Sequence, residues 1–137
     1  MTTPAGDLVR AFADVDRMDA MYADEIVWTL PASLGPAAGP HHGREAVVAF
    51  NRAVWGQYYS PEGVEVEVVE ELRDGDRSAA RFVYRATVLA SGERYENHYT
   101  LFARSSGGRI VEVHEGLDTL KLTHFQGLRT QLPVVPD

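Results

Sequence analysis

Histidine beside a carboxylate is a pair suited to moving protons near neutral pH, and this chain concentrates both groups in one stretch. From Tyr95 to Asp118, YENHYTLFARSSGGRIVEVHEGLD carries two histidines, three glutamates, one asparagine and one aspartate in 24 residues. β-rich runs flank the small residues SSGG, so the stretch reads as a hairpin. With the loop centred between Ser106 and Gly107, antiparallel pairing sets Phe102 against Val111, Thr100 against Val113, His98 against Glu115 and Glu96 against Leu117. Directly opposed side chains have Cβ atoms about 4.5–5.5 Å apart. At that distance Glu115 would hydrogen-bond the His98 imidazole, fix its tautomer and raise its basicity, making His98 a candidate general base or acid. The opposite row pairs Tyr99 with His114, Leu101 with Glu112 and Asn97 with Gly116. The plain alternative for His98 and Glu115 is a cross-strand pair at a wet rim or a subunit seam, worth about 0.2–1 kcal/mol.

Other chemistry-bearing residues are sparser. His41 and His42 stand side by side in PHHG, but neighbours in an extended loop point apart, so a solvated loop is the simpler reading than a metal pair. The chain has no cysteine, which excludes disulfides and thiolate chemistry and leaves any zinc to histidine and carboxylates; no metal and no cofactor are expected. Asp118 ends the last β-rich run and suits either a site or the cap of a following turn. The acidic run EVEVVEEL reads as a solvated strand face.

Elements able to position these groups follow from periodicity. Leu8, Val9 and Phe12 recur at helical spacing after Thr2, Thr3 and Pro4, and a second short helix reads from Val15 to Tyr22 with Asp14 or Asp16 as its cap. DEIVWTLP is a strand closing at Pro31, and ASLGPAAGPHHG is a loop by its turn residues. REAVVAFNRAVWGQYY places Val47, Phe50, Val54 and Tyr58 on one helical face. From Val64 the period becomes two: Val64, Val66 and Val68 alternate with Glu65 and Glu67, then, after RDGD, Ala80, Phe82, Tyr84, Ala86 and Val88 alternate with Arg81 and Arg85. Helices followed by a run of strands predict an α+β fold with helices on one face of a curved sheet.

Bulk properties bound the function. At 137 residues with 45% hydrophobic and 24% charged residues, residues 1–137 are expected to form a single globular domain, with 119–137 as a C-terminal tail. A net charge of −7 opposes binding to nucleic acid or to an anionic membrane surface. No apolar run approaches the ~20 residues of a membrane span, and MTTPAGDLVR lacks a basic segment followed by an apolar one, so a cytoplasmic location is the expectation. Tail residues Leu120, Leu122, Phe125, Leu128 and Leu132 suit covering a pocket or a neighbouring subunit.

The order of these elements resembles the SnoaL-like and ketosteroid-isomerase-like proteins of the nuclear transport factor 2-like superfamily. The resemblance rests on ADVDRMDAMYADEIVWTLP, with its acidic turn, helix and strand-ending proline; on GREAVVAF, a glycine-opened helix; and on GGRIVEVHEGLD as the final strand. It implies a cone of curved antiparallel sheet lined by N-terminal helices, a pocket for a small apolar or oxygenated organic ligand, and a homodimer through the outer sheet face. Because this fold hosts many activities, each position must be matched separately. The base of the steroid isomerases falls on Leu30, their first-helix tyrosine has no counterpart in Gly6 to Phe12, and their strand acid aligns with Thr100. The arginine and acid of the epoxide hydrolases are absent from His98-Tyr99-Thr100. A SnoaL-type cyclase, with acid–base residues on the last strands, is compatible.

The same resemblance places His98, Thr100, Phe102, Val113, Glu115 and Leu117 on the concave side, while Tyr95, Asn97, Tyr99 and Leu101 form a comparably apolar row that suits the core equally. Under the first assignment His98 and Glu115 are the catalytic pair. Trp28, Leu30, Trp55, Tyr58, Phe82, Tyr84, Thr100, Phe102, Val113 and Leu117 then line the ligand pocket, and Asn97, Tyr99, Glu112 and His114 face a second subunit. The expected function is cofactor-free proton transfer, in an isomerisation, cyclisation or dehydration; the alternative is a ligand-binding or oligomerisation module without chemistry.

Overall fold

Two short helices open the chain, each set by a capping side chain. In the computed structural model, which describes residues 2–125, α1 (Pro4–Arg10) begins with proline, whose missing N–H is no loss in a first turn, and the Thr3 hydroxyl accepts from the Gly6 amide at 3.0 Å. Asp14 caps α2 (Val15–Asp19) by accepting from the Arg17 amide. The expected second helix stops short of Tyr22, because β1 (Tyr22–Thr29) already begins there. A 3-10 segment (Ala32–Ala38) and β2 (His41–His42), paired with β1, occupy the expected loop. Then come α3 (Arg44–Ala53), a wider turn (Val54–Tyr58), β3 (Glu65–Asp74), β4 (Arg77–Thr87), β5 (Arg94–Ser106), β6 (Arg109–Leu117) and α4 (Thr119–Phe125).

The strands form one sheet in the order β2-β1-β6-β5-β4-β3. β3 to β6 are an antiparallel meander, whereas β1 runs parallel to β6 with Trp28 beside Val113. The sheet is therefore mixed rather than purely antiparallel: the long crossover through α3 brings the final strand back beside β1 in the same direction. Leu8, Val9 and Met18 of the helices are fully buried with Ile26, Phe82 and Leu101 of the sheet. No helix among the described residues is long and apolar enough to cross a membrane.

The β5–β6 hairpin departs from its expected register, and the cause is local. Gly107 and Gly108 both have positive φ, 59° and 79°, as a two-residue hairpin turn with the strand-matching twist requires. They set Ser106 against Arg109, and a bulge follows: Ser105 pairs with Ile110 but Arg104 with Glu112, leaving Val111 unmatched. The displaced turn and the bulge together move the partner of Glu115 from His98 to Leu101. A slip by an odd number of residues turns one strand over relative to the other. Thus Tyr95, Asn97, Tyr99, Leu101 and Ala103 are buried, and Glu96, His98, Thr100 and Phe102 lie on the outer face. The expected pairing of His98 with Glu115, and the concave placement of His98, Thr100 and Phe102, are corrected by this geometry. Asn97 and Tyr99, expected at a subunit face, point inward instead.

A second bulge, between Val68 and Glu70, works the same way on β3. It turns Glu71 to the helix side, where the carboxylate accepts from the Thr3 amide at 2.8 Å and hydroxyl at 2.9 Å and pairs with Arg10. Glu65, Glu67 and Glu70 remain on the solvated face, pairing across strands with Arg94, Arg85 and Arg81; Glu71 is the exception to the expected wet acidic strand. Its carboxyl is lowered to about 2, chiefly by the bond from Arg10.

Candidate active site

Helix, loop and sheet line an open-mouthed cavity of about 480 Å³. Alternation on the strands supplies Trp28, Tyr84, Tyr99 and Glu115 to its wall, each from a different strand. Phe50 and Asn51 reach it from α3. The chain then leaves helical geometry at Trp55 (φ −108°, ψ 72°), and both Trp55 and Tyr58 join the lining. Leu34 and Ala37 of the 3-10 segment and Leu122 of α4 complete it. His41 stacks on Phe50 at 4.2 Å and bonds through Nε2 to the Ala37 carbonyl at 2.9 Å, so it braces two wall segments. His42 is exposed, and the two histidines do not converge.

Glu115 is the one carboxylic acid among the cavity residues. The surface it retains opens onto the cavity, and burial pushes its carboxyl up to about 7. The Trp28 indole N–H opposes that shift, but from outside ordinary hydrogen-bond geometry; among the described residues Trp28 Nε1 has no hydrogen-bond partner. The carboxylate thus lies among rings, without the donors that normally hold an interior acid ionised. A carboxyl titrating near neutrality in an apolar site can take or give a proton.

Around it the phenols are kept protonated. Burial raises Tyr22, Tyr84 and Tyr99, and the Glu115 charge adds to all three. Tyr22 donates to Asn51 Oδ1 at 2.6 Å, and the Trp55 indole donates to the Tyr84 hydroxyl at 2.8 Å. Behind the wall, Tyr99 and Tyr95 share a hydrogen bond of 2.7 Å. Asn97, fully buried, donates to the Tyr95 hydroxyl at 2.7 Å and to the Asp118 carbonyl at 2.9 Å, while its Oδ1 accepts from the His98 amide at 2.8 Å. Ring packing fixes the frame: Phe12 lies 5.0 Å from Trp55, and Tyr84 5.4 Å from Tyr99.

Of the residues expected in the site, Trp28, Leu30, Trp55, Tyr58, Tyr84, Glu115 and Leu117 meet at this cavity. Phe82 and Val113 are fully buried outside its lining, Phe82 packed edge-on to Phe12 and stacked on Tyr99. His98, Thr100 and Phe102 are on the far side of the sheet. Asp118 accepts from the Lys121 amide and caps α4. Of the tail leucines, Leu122 is buried at the cavity; Leu128 and Leu132 lie outside the described residues. Sequence reasoning missed Asn51, Tyr59 and Tyr99. The available signal was the row Tyr95, Asn97, Tyr99 and Leu101, whose apolar character fits an inner face.

Comparison with known proteins agrees with this architecture. Residues 7–113 match the family model described as the SnoaL-like domain, so Glu115 lies just beyond the matched segment. An NTF2-like protein of unknown function from Burkholderia pseudomallei superposes with a TM-score of 0.74 at 22% identity, covering 90% of this chain and 97% of that one. A protein of ketosteroid isomerase-like fold from Catenulispora acidiphila, solved in complex with trimethylamine, gives 0.77 at 14% identity, covering 94% and 95%. A proposed SnoaL-like polyketide cyclase from a Jannaschia species gives 0.70 at 16% identity, with 88% of each chain covered. No curated protein sequence matches the chain.

Proposed function

The chain belongs to the SnoaL-like domain family, and from that premise we propose that it is a small-molecule enzyme in which Glu115 transfers a proton without a cofactor. The observation that carries the reading is the solitary carboxyl raised to about 7 in a ring-lined cavity of about 480 Å³. Near neutral pH such a group is present in both protonation states, so it can remove a proton from a weakly acidic C–H or O–H and return it to another atom of the same substrate. Desolvation strengthens the base, and the surrounding phenols and indoles limit competing protonation by water. Isomerisation, cyclisation and dehydration all use such a step. His98 has no part in it, because it lies on the outer face.

Deuterium exchange tests the reading. Small aryl and alicyclic ketones incubated with the protein in D2O should lose α-proton NMR signal, with a rate that rises through about pH 7 as Glu115 ionises and falls at least about 100-fold in Glu115→Gln. Equal exchange by the wild type and Glu115→Gln would end the assignment.

A second reading without chemistry is favoured by the trimethylamine complex of the Catenulispora relative. Here the rings and the Glu115 carboxylate would hold a small organic ammonium ion, a cation suited to aromatic faces. Binding would then lower the Glu115 pKa, and tetramethylammonium would raise the melting temperature more at pH 8 than at pH 5. The outer sheet face, with Phe102 59% exposed and Leu72 62% exposed, supports assembly into a homodimer.

A further inference from the structure

We propose that α4 is a lid on the mouth of the cavity and that Asn97 is the latch that holds it closed. This role shares with the acid–base reading the premise that the cavity takes an organic ligand, and it does not require Glu115 to move a proton.

Asn97 is fully buried in β5, where an amide is costly unless its groups are matched. Two of its bonds stay within the strand, to the Tyr95 hydroxyl and from the His98 amide. The third leaves it: Nδ2 donates at 2.9 Å to the carbonyl of Asp118, the residue between β6 and α4. That carbonyl also accepts from the Leu122 amide at 3.3 Å, and the Asp118 carboxylate accepts from the Lys121 amide at 3.2 Å. Asp118 therefore fixes the first turn of α4 and ties it to the sheet. It is itself exposed and belongs to neither element, as suits a hinge.

What α4 brings to the cavity is Leu122, 7% exposed and part of the lining, whereas Leu120 on the same helix is 41% exposed. Swinging α4 out would strip Leu122 of apolar contacts and leave one N–H of a fully buried amide without its acceptor. The closed position is therefore the resting one. A ligand adds apolar surface for Leu122 to cover, so binding favours closure through a contact that the open state lacks. The latch also touches the wall: the Tyr95 hydroxyl that accepts from Asn97 shares its 2.7 Å bond with Tyr99, a lining residue. A shift of Tyr99 against a ligand reaches Asn97 through one intervening phenol.

The chain has no cysteine, so one introduced thiol reports on one place. Thr123→Cys puts it on the buried side of α4 and Ala103→Cys on the buried side of β5, each in place of a small side chain. Leu120→Cys is the exposed reference. Reaction with dithiodipyridine is followed by absorbance. The ligand probe is the uncharged fluorophore N-phenyl-1-naphthylamine, its binding read by energy transfer from Trp28 and Trp55 of the lining. Thr123→Cys should react at least about tenfold faster than Ala103→Cys and at least about tenfold slower than Leu120→Cys, because a lid opens short of global unfolding. Saturating probe should slow Thr123→Cys at least about threefold. Adding Asn97→Ser, too short to reach the Asp118 carbonyl, should speed it about 2- to 12-fold, the range of one hydrogen bond.

A second variant, Leu122→Ala, keeps the latch and removes the contact with the ligand. In it the probe should no longer slow Thr123→Cys, which a fixed wall would not produce. Equal rates for Thr123→Cys and Ala103→Cys, a Thr123→Cys as reactive as Leu120→Cys, or full protection by the probe in Leu122→Ala would overturn the lid. Failure of the probe to bind would overturn it too, together with the shared premise. Otherwise the two readings fail separately. If Glu115→Gln retains full deuterium exchange while the thiols behave as expected, the acid–base assignment falls and the lid stands. If Glu115→Gln loses exchange while Thr123→Cys and Ala103→Cys react at one rate, the reverse holds.

Discussion

Replacing Glu115 with glutamine should stabilise the protein, and only above acidic pH. The carboxyl is raised from 4.5 to about 7 by burial. Below pH 4.5 it is protonated in both folded and unfolded chains and contributes no pH dependence. Between about 4.5 and 7 the unfolded chain ionises first, so the folded state binds more protons and stability falls as pH rises. Above 7 both states are ionised and the loss is complete. A displacement of this size corresponds to about 3 kcal/mol at 1.36 kcal/mol per pH unit, and screening by cavity water reduces it to about 2 kcal/mol. Glutamine has nearly the shape of the protonated acid and does not titrate. Urea unfolding of the two proteins should therefore give similar stabilities at pH 4 and a variant more stable by about 2 kcal/mol at pH 8. Other titrating groups cancel in the difference between the two curves. A difference independent of pH from 4 to 8 would refute both the raised pKa and the desolvated site that causes it.

Glu71→Gln should show the opposite sign, because the Glu71 carboxyl is lowered to about 2 chiefly by Arg10. It stabilises the fold above pH 4.5 and loses that contribution as pH falls toward 2, so the variant should unfold more easily by about 1–2 kcal/mol at pH 7 and the difference should shrink at pH 3, by urea titration. His98→Ala, on the outer face, should leave the α-proton exchange within about twofold, since surface substitutions usually act weakly; loss of exchange would return His98 to the mechanism. Phe102→Glu should shift sedimentation from a dimer to a monomer, by placing a charge in the exposed apolar patch; an unchanged sedimentation coefficient would remove the outer face from assembly.

The elements were legible in the sequence because their periods are clean. Val66, Val68, Phe82, Tyr84 and Ala86 alternate with charged neighbours, and the sheet turns those rows inward as the alternation demands. Glu115 was legible as a group able to do chemistry on the last strand. Its partner was not, since register depends on features that alternation does not encode. Turning SSGG at Gly107-Gly108 rather than Ser106-Gly107 moves the pairing by an even two residues and keeps the face; the bulge at Val111 adds one more, and it decides that Tyr99 rather than His98 faces the cavity. Both turns contain small residues, but two consecutive positive φ angles favour the Gly-Gly pair. The Val69 bulge was hidden for the same reason, and with it the inward turn of Glu71. The polar contacts of the wall, such as Trp55 to Tyr84, join residues far apart in the chain and carry no local pattern.

Glu71 and Glu115 make a natural comparison of one side chain in two settings. Glu71 sits where a strand bulge meets a helix start, with the Thr3 amide, the Thr3 hydroxyl and Arg10 directed at it, and it is held ionised. Glu115 sits among a comparable density of potential donors, yet Tyr22 is committed to Asn51, the Trp55 N–H to Tyr84, and the Trp28 N–H falls short of a bond. Adding two or three bonds would lower its pKa and stabilise the protein; Glu71 shows that this fold can supply them. An acid kept short of donors in an apolar cavity weakens the folded state at neutral pH, a cost with no structural return. That imbalance is the physical ground for assigning Glu115 to chemistry and Glu71 to the scaffold.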